Sequence, residues 1–382
     1  MVRKAINQER MRSINKRQIF GFVKEHGPVS KKEIADQLGT SLTTVSTFIN
    51  ELIDERKLTS SGTSKSTGGR KSEIFTLNPD ALYVLGIDLQ VDRLVSVVLN
   101  FDGVPIAGDS VPFQAPDEWQ VAAAIRTTIR EAIAQAGIDP AKLAHIGIGI
   151  PGIVDPDSCI IEFAPNLEWR NVNLRQLLAL DRPLLIENEA NAAAIGEKVY
   201  GAGRLSANLC FISVGIGIGA GLILNNGLYR GASHHAGEFG HMTLDPDGPA
   251  CRCGNHGCWE VFASNEAALK QYWQRTGRRL AAYDHLLALA EADDPDAGAV
   301  LEEIATYLGI GIAGIVNGIN PELVVVGGKI ATCGEMLRNR LLKEIKERTL
   351  ERTFRGLTVE FSSLGDRATA LGVAEMALDK LI

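Results

Sequence analysis

Apolar residues in the first sixty positions recur at helical spacing. Over 15–26, Ile19, Phe20 and Val23 share one face, and Gly27-Pro28 stops the helix. Ser30, followed three residues later by Glu33, forms a capping box, so a second helix is expected over 31–38, ending at Gly39. A third, from about 41 to 56, sets Val45, Ile49, Leu52 and Ile53 on its inner face. After Leu58 the pattern turns to two short β-prone ends around a tip rich in Gly, Ser and Lys, TSSGTSKSTGGRKSEIFTL. These elements predict a winged helix-turn-helix over 1–77.

From Tyr83 the pattern becomes α/β. YVLGIDLQVDRLVSVVLNFDG reads as two adjacent strands closed by an Asp-Gly turn at Asp102-Gly103. NLCFISVGIGIGAGLILNNG, from Asn208, repeats the layout and ends in Asn-Gly, which hints at an internal duplication. Between them lie a helix over 118–136, a strand with a Pro-Gly exit (HIGIGIPGIVD) and a strand running into a helix (LLIENEANAAAIGEKVYG). Further on come a helix over 301–319, a buried strand over 322–326, the turn Gly327-Gly328 and a final helix over 369–381. A chain of 382 residues exceeds what one core usually serves. The expected division is a head (1–77), a first α/β lobe (78–200, rejoined by 366–382) and a second lobe (201–365). The uncharged run 205–229 is long enough for a membrane helix, yet Gly215, Gly217, Gly219 and Gly221 alternate with apolar residues, which favours a hairpin of a soluble protein.

Charge adds a partner to this picture. Residues 1–75 hold 14 Lys and Arg against 8 Asp and Glu; from totals of 39 and 46, the remainder holds 25 against 38. A basic head on an acidic body points to an anion met by the head alone. Thr43, Thr44, Ser46, Thr47 and Asn50, on the outer face of the third helix, suit base edges in a major groove of double-stranded DNA. Lys31, Lys32 and Arg70 would add phosphate or minor-groove contacts. The rival reading, a three-helix bundle for protein contacts, leaves the basic wing unexplained. One winged helix buries little surface, so a homodimer or larger assembly on a palindromic operator is expected. The charged start, MVRKAINQERMRS, lacks the apolar stretch of a signal peptide, so the expected compartment is the cytoplasm.

Half of the six cysteines fall in Cys251-x-Cys253-x4-Cys258, with His241 ten residues upstream. Three thiolates and an imidazole fill a tetrahedral site and leave no position for water, the pattern of a structural zinc. His256 ranks second as the nitrogen ligand, and a redox pair or chance clustering is the plainer alternative. Glu238, Glu260 and the second nitrogen of His241 are not needed by the metal and would frame a polar ligand.

GIGIGAGLILNNGLYRGASHHAGEFGH running into CRCGNHGCWE, together with APNLEW, ENEAN and the preceding winged helix, resembles the ROK family (repressors, open reading frames and kinases) over nearly the whole chain. The resemblance is to its sugar-responsive regulators of the xylose and N-acetylglucosamine type. It implies a two-lobed body of the actin, hexokinase and ribonuclease H kind. It puts zinc on His241, Cys251, Cys253 and Cys258, and a sugar on Asn188, Glu189, Glu238, His241 and Glu260, with Asn166 nearby. Hydroxyls that both donate and accept suit that mixture of carboxylates and amides. Two departures separate this chain from the family's kinases. Their Asp-x-Gly-Gly-Thr phosphate loop is here Asp88-Leu89-Gln90-Val91-Asp92, and the Asp that serves as their general base is Glu189. No catalytic residue is therefore assigned, and the expected function is a sugar-responsive transcriptional regulator, a repressor of carbohydrate uptake or catabolism genes. An active sugar kinase with a fused DNA-binding head is the alternative.

Overall fold

The structure, a computed structural model, describes residues 8–63, 72–113 and 117–381, so Arg70 and the tip of the wing lie outside the described residues. In the head, α1 (Gln8–His26), β1 (Val29–Ser30), α2 (Lys31–Leu38), α3 (Leu42–Asp54), β2 (Leu58–Thr63) and β3 (Glu73–Leu77) follow the expected order, with a sheet β1-β3-β2. The capping box is formed on both sides: Glu33 N–H donates to Ser30 Oγ at 3.3 Å and Ser30 N–H to Glu33 Oε2 at 2.7 Å. Gly39 ends α2 at φ 60°, where a side chain would be strained. Inside α3 the buried set is Val45, Phe48, Ile49 and Leu52; Phe48 takes the deep position expected of Ile53, which is half-buried.

The head does not hang on a free linker. Its core residues Ile19, Phe20 and Val23 continue into Val95, Val97, Leu99 and Phe101 of the body and into the last helix of the chain. Phe20 and Phe101 meet with ring centroids 5.6 Å apart.

The body begins with β4 (Tyr83–Leu89), β5 (Arg93–Asn100), β6 (Pro105–Pro112), α4 (Glu118–Ala136) and β7 (Leu143–Ile150). It continues through β8 (Ile153–Asp155), β9 (Ile160–Ala164), β10 (Trp169–Asn173), α5 (Leu174–Leu178), β11 (Leu184–Asn188) and α6 (Glu189–Tyr200). The second half runs β12 (Leu209–Val214), β13 (Ile218–Leu224), β14 (Gly227–Leu228), α7 (Glu260–Ala263), α8 (Asn265–Thr276), α9 (Tyr283–Glu291) and α10 (Pro295–Ile319). It closes with β15 (Leu323–Gly328), α11 (Gly334–Arg348), α12 (Glu351–Arg355), β16 (Thr358–Phe361) and α13 (Ala368–Asp379).

Two five-stranded sheets share one topology. The orders β6-β5-β4-β7-β11 and β14-β13-β12-β15-β16 each comprise an antiparallel meander followed by two parallel strands. The duplication hinted at by the two hairpins is thus a duplication of whole sheets. The run 205–229 is the meander β12–β14. Among the described residues, α10 is the one helix long and apolar enough to cross a membrane, and its apolar residues fill the core of the second half.

Between the sheets, α13 lies on β4 and β7 while α6 lies on β12 and β13. The two helices touch backbone to backbone. A Cβ on Gly372 would sit 1.7 Å from Ala192 O, and one on Gly196 2.1 Å from Ala368 O. Such close approach leaves no room for side chains between α6 and α13, and α6 opens at its N-cap Asn188.

Candidate functional site

After β14 the chain leaves regular structure and forms a loop stitched by the bridges Thr243–Cys258 and Ala250–His256. Cys251 N–H donates to Asn255 O at 2.8 Å, and Gly257, at φ 61°, lies where a Cβ would strike Asp245 O at 1.6 Å. This tight wrap brings His241, Cys251, Cys253 and Cys258 together, with one candidate ligand atom from each lying within 4.8 Å of the others. His256, exposed at the turn, is not in the cluster. Cys251 Sγ lies 3.7 Å from His241 Nδ1 and Cys253 Sγ 3.7 Å from Cys258 Sγ. All six cysteines are free thiols, so no disulfide competes for these four groups. The set could hold a metal ion, and its sulfur and imidazole chemistry fits zinc.

His241 turns its other face to the cleft: Nε2 is 3.8 Å from Glu238, while Glu260 approaches Nδ1 at 3.6 Å. Glu260 also accepts from Cys251 Sγ at 3.0 Å and from Ile218 N–H at 3.4 Å, so this carboxylate is fixed by both the loop and the glycine-rich β12–β13 turn. A cavity of about 220 Å³ opens beside it, walled in part by Phe163, Asn166, Gly217, His241, Arg252 and Glu260. Asn166 Oδ1 accepts from Arg252 Nη1 at 3.4 Å, joining the β9–β10 hairpin to the cysteine loop across the cleft.

Asn188, Glu189 and Glu238 are not among the walls of this cavity. Asn188 caps α6, its Oδ1 accepting from Ala190 N–H at 2.9 Å and Asn191 N–H at 3.2 Å, while its Nδ2 donates to Gly152 O at 3.0 Å. Of the expected sugar residues, Asn166, His241 and Glu260 wall one cavity and Glu238 joins them through His241, while Asn188 and Glu189 lie outside that cavity at the start of α6.

Next to Asn188, Glu189 is half-buried and forms an acidic pair with the buried Asp88. Asp88 is 3% exposed; Gln90 Nε2 donates to its Oδ2 at 2.7 Å, and its Oδ1 has no hydrogen-bond partner among the described residues. Burial, reinforced by the Glu189 carboxylate, raises the Asp88 carboxyl well above its usual range, and burial pushes Glu189 up to about 7. Both shifts favour the protonated carboxyl.

One cleft interaction lay beyond sequence reasoning. Arg230, past β14, donates from Nε and Nη2 to Glu187 Oε2 at 2.8 and 2.7 Å. Glu187 Oε1 accepts from Asn188 N–H at 3.0 Å and Asn191 Nδ2 at 3.2 Å. The ion pair ties the end of β11 in the first half to the loop of the second. Its available signal was a carboxylate at the end of the apolar run LLIE, since a charge buried in a sheet requires a partner.

In the head, Thr43, Thr47 and Asn50 are exposed on α3, whereas Thr44 and Ser46 are half-buried. The Thr44 hydroxyl lies 2.9 Å from Ser41 Oγ, the N-cap of α3, and Thr47 donates to Thr43 O at 3.0 Å. Lys31 stands over the Phe75 ring and donates to Asn50 Oδ1 at 3.3 Å, while Lys32 is exposed. Leu42 is 53% exposed at the leading end of the same helix.

Known protein patterns match both parts of the chain. The ROK family pattern matches residues 84–380 and a winged helix-turn-helix DNA-binding pattern matches 12–59. The chain is 33% identical to the xylose repressor of Bacillus subtilis (strain 168) over 378 residues, 98% of each protein. It is 30% identical to the glucokinase of Streptomyces coelicolor, which covers 96% of that enzyme but 77% of this chain. Among solved structures it resembles a ROK family transcriptional regulator described as a homologue of the E. coli MLC protein, with a TM-score of 0.83, 25% identity and 96% of both chains covered.

Proposed function

The chain belongs to the ROK family, and on that premise we propose that its body is the effector receptor of a repressor of carbohydrate uptake or catabolism genes. It is a sugar-responsive DNA-binding transcriptional regulator. The observation that carries this is the reach of the likeness: the match to the xylose repressor runs through the head as well as the body, whereas the glucokinase match spans only 77% of the chain.

The proposed effector is D-xylose or a related pentose, held between the halves by Asn166, Asn188, Glu189, Glu238, His241 and Glu260. Support comes from the Glu238–His241–Glu260 row and from the cavity beside Glu260. The proposed metal is one structural zinc on His241, Cys251, Cys253 and Cys258; it would pin the loop that presents Glu238 and Glu260 and take no part in chemistry. The head would read DNA through Thr43, Thr44, Ser46, Thr47 and Asn50, with Lys31, Lys32 and Arg70 at phosphates or the minor groove. A homodimer on a palindromic operator, in the cytoplasm, completes the reading.

Kinase activity is not part of it. Leu89-Gln90-Val91-Asp92 stands where the family's kinases have the glycines and threonine of their phosphate loop, and Glu189 stands where they have the general-base Asp. Two measurements on the same protein test this. D-Xylose should raise the thermal unfolding midpoint, since a ligand at 100 times its Kd adds about 2.7 kcal/mol to the native state. A coupled ATPase assay across pentoses and hexoses should stay at background, and sugar-dependent ADP formation would instead establish a kinase with a fused head.

A further inference from the structure

We propose that Glu375 is the joint through which occupation of the effector cleft reaches the DNA-binding head, by way of Tyr200 and Lys24. The proposal rests on the reading of the cleft as the effector site. That reading includes Asn188, whose side chain caps α6, and α6 ends at Tyr200. Its twelve residues span about 18 Å. Along that length it cannot slide independently of α13, because Gly196 and Gly372 put the two backbones in direct contact. At its far end the Tyr200 hydroxyl donates to Glu375 Oε2 at 2.6 Å. The other oxygen, Oε1, accepts from Lys24 Nζ at 3.1 Å, and Lys24 belongs to α1 of the head.

Glu375 is 6% exposed, and each of its carboxylate oxygens accepts from one of these two donors. Lys24 also reaches the exposed Asp379 at 3.3 Å, a contact that water can replace. A buried carboxylate shared by α6 and a helix of the head tolerates little relative displacement. If α6 shifts on closure of the cleft, either Lys24 follows and the head turns, or the carboxylate is left half-paired in a dry site. Head and body also meet through Phe20 against Phe101, through Lys57 Nζ donating to Leu381 O at 3.4 Å, and through the core that Ile19 and Val23 share with β5 and α13. None of these residues is assigned to sugar or DNA contact, so their effect on coupling separates from effects on either site.

A mere staple between domains would alter stability and leave coupling alone; a joint alters coupling. The test uses the full chain with a labelled duplex that the wild-type protein has selected from a random pool. Operator affinity is measured with and without saturating D-xylose, and D-xylose affinity with and without duplex, since the two shifts must be equal. In E375Q and in Y200F the coupling factor should fall about fivefold or more toward unity, while D-xylose affinity of the DNA-free protein stays within about twofold. Y200F keeps the ring and removes only the hydroxyl, so it stands if E375Q does not fold. Coupling in the double variant K24M/E375Q should match that in E375Q, because both act on one joint. Full wild-type coupling in E375Q or Y200F overturns the joint while leaving the effector site intact. Absence of coupling in the wild-type chain overturns the effector reading and the joint with it.

Discussion

Replacing Arg230 by Met removes both donors to Glu187 Oε2 at once. Glu187 is 2% exposed, so its carboxylate would keep only the Asn188 N–H and the Asn191 amide, both on the other oxygen. Breaking a buried pair by taking one partner costs about 3–5 kcal/mol, because the remaining charge stays in a low-dielectric site. Arg230 is 31% exposed at its side chain, and water entering its place offsets part of this, which puts the expected loss at about 2–3 kcal/mol. E187Q leaves a half-exposed guanidinium that water can solvate, and should cost less. The double variant R230M/E187Q no longer buries a lone charge, so it should be more stable than the sum of the singles by about 1–2 kcal/mol. Urea unfolding at pH 7, followed by Trp fluorescence on all four proteins, gives the cycle directly. Strictly additive costs, or an R230M protein within about 0.5 kcal/mol of wild type, would refute the claim that this pair holds the two halves together.

Glu189 predicts a pH dependence. Its native pKa of about 7 lies above the ordinary 4.5, so between those values the native state keeps a proton that the unfolded chain has released. Its stabilising effect is complete below 4.5 and is lost as pH rises through 7, at up to about 1.4 kcal/mol per pH unit. E189Q should flatten the stability curve between pH 5 and 7, and parallel curves for E189Q and wild type would mean that Glu189 is ionised in the native state. Freshly purified protein should contain one zinc per chain by elemental analysis, and C253A should lose the metal and the D-xylose thermal shift together. A stable, zinc-free preparation that still responds to D-xylose would contradict the metal assignment. E189D alone should not yield ATP-dependent sugar phosphorylation, because Leu89-Gln90-Val91 still replaces the phosphate cradle; turnover in that variant would show the loop to be adequate.

The elements were legible where one local signal decided them. Ser30, Glu33 and Gly39 set both ends of α2, and helix α4 runs over 118–136 as its periodicity predicts. The β6 strand was missed because it is a sheet edge, with exposed residues and a proline at each end, so it shows no apolar alternation. The β9–β10 hairpin was missed for a related reason. The turn closes at Glu168, and a residue inside β10, Asn171, also takes positive φ; neither position uses glycine, which leaves no sequence mark. The cysteine cluster could be read because its ligands are close in sequence. The Arg230–Glu187 and Tyr200–Glu375–Lys24 contacts could not, since they join residues 43, 175 and 351 positions apart.

The central claim is that sugar bound beside the cysteine loop releases DNA from the head. Fluorescence anisotropy of a labelled operator, titrated with the wild-type chain and with E238A in the presence and absence of D-xylose, tests it most directly. The wild-type protein should lose operator affinity about fivefold or more when D-xylose is added. E238A should bind the operator as wild type does without sugar and show no response to it. An operator affinity indifferent to sugar in the wild-type chain, or an undiminished response in E238A, would contradict the account and leave the loop around Cys251 as a metal staple alone.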